Sequence, residues 1–228
     1  MSTEEITRMR PAARRERQAA QVLPQFQSLL GQVLNAAGQD EVITIGVTSV
    51  RPGAGVSTVV ANLAACAAGS VFGKVLLVDA NTSRSSLRRT FSLDRGPGLA
   101  ELLLGSASLE ECIQQVAVDN LFVMGIGNVR RSNAPVIAPR DFKRFLDLAS
   151  QQCRFIVLDL PAAAGASSCF SLVQELSGIV LVISADKDRS PRVRRCAKQL
   201  RDAGGHVIGA VLNKQHERLP EWLDESLA

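Results

Sequence analysis

The chain has 228 residues, 46% hydrophobic and 21% charged, with a formal net charge of +4. That length and apolar content supply one domain of roughly 200 residues with a sizeable core and exclude global disorder. No apolar run reaches the ~18 residues that span a bilayer, no signal-like segment opens the chain, and 4% aromatic content leaves no stacking platform for nucleic acid.

Residues 1–20, "MSTEEITRMRPAARRERQAA", are crowded with charge and read as a flexible arm, or else as a contact for a partner or an acidic membrane surface. From 21 to 37, Val22, Leu23, Phe26, Leu29, Leu30, Val33 and Leu34 recur at helical spacing, so a helix is expected to pack ahead of the first strand. Apolar, β-branched runs then follow at 43–48, 75–79, 121–125, 155–160, 179–184 and 207–212. Helix-like segments lie between them near 57–70, 108–118, 138–151, 168–177 and 191–203. Strands that are apolar throughout are buried on both faces, which implies a mostly parallel sheet under helices. The expected fold class is therefore three-layer α/β, with a main domain over 21–215 and a tail or short helix over 216–228 carrying Trp222 and Leu223.

The five cysteines, Cys66, Cys112, Cys153, Cys169 and Cys196, lack zinc-ligand spacing and read as free thiols in a reducing cytoplasm. His206 and His216 have no nucleophile elbow near them, which argues against a hydrolase triad.

In such a sheet, ligands bind beyond the carboxyl ends of the strands. After the first run comes Arg51-Pro52-Gly53-Ala54-Gly55-Val56-Ser57-Thr58; after the second, Asp79-Ala80-Asn81; the fourth ends in Asp159-Leu160-Pro161 and the sixth in Asn213-Lys214. Glycines let backbone N–H groups converge on phosphate oxygens, and the following helix N-terminus adds partial positive charge. A Ser or Thr hydroxyl and a strand-end aspartate hold Mg²⁺ in such loops, roles open here to Ser57 and Asp159. The residual nucleotide-binding set is Gly53, Ala54, Gly55, Ser57, Thr58, Asp79, Asp159 and Asn213, with a helix or turn cap as the lesser alternative for Asp79.

The stretches "VTSVRPGAGVSTVVANLAA", "VLLVDANTSRSSL", "GLAELLLGSASLEECI", "FIVLDLPA" and "VIGAVLNK" resemble the cytoplasmic P-loop domain of bacterial tyrosine kinases that pair with polysaccharide co-polymerases. More distantly they resemble the partition and division-site ATPases. The resemblance implies a P-loop NTPase-like fold, Mg-ATP or Mg-ADP as ligand, and a chain-length-determinant type of membrane partner. It also implies a cytoplasmic location, peripheral at the inner membrane through that partner.

Four departures weaken the catalytic part of that implication. The phosphate-binding lysine of the loop is Val56, and losing a charged hydrogen bond costs roughly 1.5–3 kcal/mol. The second acidic motif carries Asn81 where the kinases have aspartate, and an amide cannot act as a base. The Glu-x-x-Arg-x-x-Arg assembly motif of the leading helix reads Pro24, Gln27 and Leu30, which argues against a kinase-type ring and leaves self-association open. The chain contains no tyrosine, so no autophosphorylated tail cluster exists. Arg51 is a substitute charge for Val56 on one reading; on the other it is an ordinary surface arginine.

The sequence therefore points to a non-catalytic, pseudokinase-like partner of a membrane polysaccharide co-polymerase, serving an exopolysaccharide, capsule or holdfast-type polymer. Catalytic residues are then none, nucleotide affinity is weakened, and nucleic acid is not a partner. The alternative is a weak or partner-completed Mg-ATP-dependent ATPase of the partition and division-site type.

Overall fold

The computed structural model describes residues 11–38, 41–70, 73–81, 86–128, 137–163 and 167–215. The expected tail over 216–228 and the first ten residues of the expected arm lie outside the described residues.

Helix α1 runs Pro11–Ala37, ten residues earlier than the apolar periodicity indicates. Residues 11–20, expected as arm, are helical: their Ala, Arg, Glu and Gln are strong helix formers even without an apolar face. Pro24 lies inside the helix, where a proline removes a backbone donor at a cost of about 3 kcal/mol. Tertiary packing offsets that cost, because Leu30 and Val33 are buried against helix α2, Val56–Ala68.

Seven strands make one sheet: β1 Ile43–Ser49, β2 Val75–Asp79, β3 Ile113–Gln115, β4 Leu121–Met124, β5 Phe155–Asp159, β6 Gly178–Ser184 and β7 Val207–Asn213. Their order is β3-β4-β2-β5-β1-β6-β7, parallel except for β3 against β4. The central strands β1, β2 and β5 are buried along their whole length, as continuous apolar runs require. Alternate residues feed two cores. Val75, Leu77, Phe155 and Val157 pack under α1 and α2, while Leu76, Val78, Ile156 and Leu158 pack toward the opposite layer.

That opposite layer holds the short helices α4, Leu99–Leu103, and α5, Leu109–Cys112, then α6, Pro139–Ser150, α7, Ser167–Leu172, and α8, Ser190–Asp202. A short helix α3, Leu87–Thr90, follows β2, and a 3-10 turn, Val173–Glu175, extends α7. The helix expected over 108–118 is a correction. It stops at Cys112 because Ile113–Gln115 leaves to pair antiparallel with β4.

Candidate functional site at the strand carboxyl ends

Four parallel strands deliver the loop, both aspartates and Asn213 to one edge of the sheet. The turn after β1 enters α2 through Gly55, whose φ of +98° is a left-handed conformation that favours glycine. A Cβ there would also collide with the Asn213 amide, so close approach independently requires glycine. Gly53 is left-handed as well, at φ +84°. Thr58 and Val59 donate backbone N–H groups to the Gly55 carbonyl, which starts the helix. The loop thus keeps its backbone shape, with the first-turn N–H groups at the carboxyl end of β1.

Its side-chain chemistry is different. Val56 is only 8% exposed and packs into the core beneath α2. Position 56, which the resemblance aligns with the loop lysine, contributes methyl groups to the interior. Arg51 Nε donates to Asp188 Oδ1 at 3.1 Å. The other Asp188 oxygen accepts the Ser184 backbone N–H at 2.8 Å, so Arg51 is tied to the turn between β6 and α8. Sequence reading missed the Asp188 partner; neither of the two aspartates in "ADKDRSPR" gives a signal of a contact across the chain.

The residues expected on the metal side, Ser57 and Asp159, do come together. Register pairs Asp79 with Asp159 on neighbouring strands, so both carboxylates face the layer that carries α2. Ser57 Oγ donates to Asp159 Oδ2 at 2.6 Å, while the buried Asp159 Oδ1 has no hydrogen-bond partner among the described residues. Burial pushes the Asp159 carboxyl up to about 7; the Ser57 hydroxyl pulls the other way and the Asp79 charge adds to the rise. A buried bare carboxylate oxygen beside a hydroxyl fits a Mg²⁺ hydration shell. The lack of a described cation at position 56 does not fit a triphosphate.

Asp79 Oδ1 accepts the Asn81 backbone N–H at 3.0 Å, so its carboxylate shapes the turn that it opens. Asn213 is likewise engaged structurally: its Nδ2 donates to the Ala54 carbonyl at 2.9 Å and its Oδ1 accepts the Lys214 N–H. Thr58 is exposed on the first turn of α2, with its carbonyl accepting from Asn62. Among the described residues no cluster of three metal-ligating side chains exists, and no helix is long and apolar enough to cross a membrane.

No family model matches the chain. Among curated proteins it is 26% identical over 189 residues to the "putative tyrosine-protein kinase CapB" of Staphylococcus aureus, covering 83% of this chain and 82% of that one. It is 29% identical over 194 residues to the "putative tyrosine-protein kinase EpsB" of Ralstonia solanacearum, spanning 85% of this chain and only 25% of EpsB. The kinase domain of the Escherichia coli tyrosine kinase ETK superposes with a TM-score of 0.79 at 24% identity, over 87% of this chain and 77% of that one. The septum site-determining protein MinD of Pyrococcus horikoshii, complexed with Mg-ADP, gives 0.64 at 22% identity, over 82% and 77%. The homologues are bacterial tyrosine-kinase domains, and the P-loop NTPase fold is shared with division-site ATPases.

Proposed function

We propose that this chain is a non-catalytic P-loop protein that serves polysaccharide biosynthesis by docking on a membrane polysaccharide co-polymerase. The observation that carries the inactivity is Val56, buried in the core at the position of the phosphate-binding lysine. A missing charged hydrogen bond costs one to two decades of affinity, and transition-state stabilisation suffers more because charge accumulates there. The role in docking draws support from the relatives. The matched region fills most of CapB yet one quarter of EpsB, so in one relative it is part of a much longer chain. A module fused in one protein and separate in another is suited to association in trans. The polymer setting, and a cytoplasmic position held at the inner membrane through the partner, follow from the same kinship.

Titration with a fluorescent ATP analogue and Mg²⁺ tests the inactivity. Binding is expected only toward the millimolar range, and Val56→Lys combined with Asn81→Asp is expected to tighten it. Low-micromolar affinity of the unaltered protein would overturn the reading. In a deletion strain, Ser57→Ala is expected to restore surface polymer as fully as the unaltered gene does, and its failure would count against a non-catalytic role.

A second reading, a weak or partner-completed Mg-ATP-dependent ATPase, is favoured by one observation: Ser57 and the unpartnered Asp159 oxygen keep the metal side in place. Steady phosphate release by the pure protein, abolished by Asp159→Ala, is the result that would select it.

A further inference from the structure

Residues 98–113 have no part in the phosphate loop, yet they build one wall of a surface groove of about 540 Å³. Helix α6 forms the other wall. The floor is apolar, made by Leu103, Phe145 and Leu148, with Phe145 buried and Leu148 37% exposed. Leu104, beside the groove, is 73% exposed, the largest exposure among the described large apolar side chains. The rim is acidic, with Glu110, Glu111 and Asp141 against the single cation Arg144. Among the described residues none of these three carboxylates has an ion-pair partner within 4.0 Å.

The walls are built rather than loose. Ser108 and Glu111 form a reciprocal cap at the start of α5, and Glu110 Oε1 accepts from Gln152 Nε2 at 2.7 Å across the groove. Backbone and side-chain hydrogen bonds hold both glutamates below their ordinary values, so the rim stays charged. The floor packs into the core opposite the one beneath α2, which places the groove on a different face from the phosphate loop's helix.

We propose that this groove docks a short segment of a partner protein that inserts one or two large apolar side chains and lays lysines or arginines on the acidic rim. Charge selects that occupant. The chain as a whole carries +4, so this is a local negative field on a positive molecule, and it repels nucleic acid and anionic lipid alike. An apolar floor within a polar rim is the anatomy of a peptide-binding surface. The proposal does not depend on what the phosphate loop does.

The test is selection of a random displayed peptide library on the full chain, followed by anisotropy titration of the enriched peptides made synthetically. Enriched sequences are expected to combine Lys or Arg with one or two of Leu, Phe or Trp. Their affinity is expected to fall by about tenfold in Glu110→Lys and in Leu148→Gln, each checked for native far-UV circular dichroism. A pool without basic residues, no enrichment, or binding that ignores both substitutions would overturn the proposal. So would sedimentation showing a dimer of this chain that Leu148→Gln dissolves, because the occupant would then be a second copy.

Discussion

Asp159 holds one oxygen on the Ser57 hydroxyl and leaves the other bare in a buried setting, with Asp79 alongside. Its carboxyl, raised from 3.8 to about 7, keeps a proton in the folded chain at pH values where the unfolded chain has lost it. The folded state therefore binds more protons between these values, and stability falls as pH rises from about 4 to about 7. The loss is on the order of a few kcal/mol and levels off above the folded value. Asp159→Asn is nearly isosteric with the neutral acid and does not titrate. In metal-free urea unfolding, its stability relative to the unaltered protein is expected to climb across that window and then stay constant. A difference that does not vary with pH would remove this account of Asp159. At this scale the meeting of these groups was legible in the sequence: the placing of Gly55, Ser57 and Asp159 at or just after the ends of their strands predicts one shared sheet edge, where Ser57 contacts Asp159. The packing of Val56 was not legible, because burial in the α2 core depends on neighbours that the loop sequence does not contain.

The segment from Ser108 shows why elements are harder to read than strand ends. Ser108 and Glu111 spell a capping box, and Leu109, Cys112, Ile113 and Val116 fall at i, i+3, i+4 and i+7, a helical pattern. The helix nonetheless lasts four residues, because Ile113 pairs with Met124 and closes the sheet edge. Cross-strand pairing outweighs local periodicity, and no window of sequence carries it. The neighbouring α4 depends on a second long-range contact. Glu101 accepts the Gly98 N–H on one oxygen and the Asn128 N–H on the other, both at 2.9 Å, and so ties the start of α4 to the loop after β4. Gly98 cannot gain a side chain there, since a Cβ would collide with the Gly125 carbonyl. Glu101→Ala frees two backbone donors and is expected to cost about 1–3 kcal/mol in chemical denaturation. A cost within about 0.5 kcal/mol would mean that solvent satisfies those donors equally well.

Across the whole molecule, the parallel sheet and its ligand edge follow from runs of apolar residues punctuated by Gly, Asp and Asn. Helix α1 bears on the expectation about self-association. The three positions that the resemblance aligns with the kinases' assembly charges are Pro24, Gln27 and Leu30. Pro24 and Gln27 are exposed without charge, while Leu30 is 6% exposed and packs into the α2-side core. That position faces inward, so it has become part of the fold and offers no contact to a neighbour. Leu30→Arg would bury an unpaired cation among apolar side chains, at a cost on the order of 3 kcal/mol. It is expected to lower the melting temperature without creating a larger species. The unaltered chain is expected to sediment as a monomer at micromolar concentration, with or without Mg-ATP, because no charge pair remains on α1 at these positions to link copies. A ring-sized species that persists in high salt would show that another surface joins the copies, and one that disperses with salt would place basic residues of this positive chain in the contact.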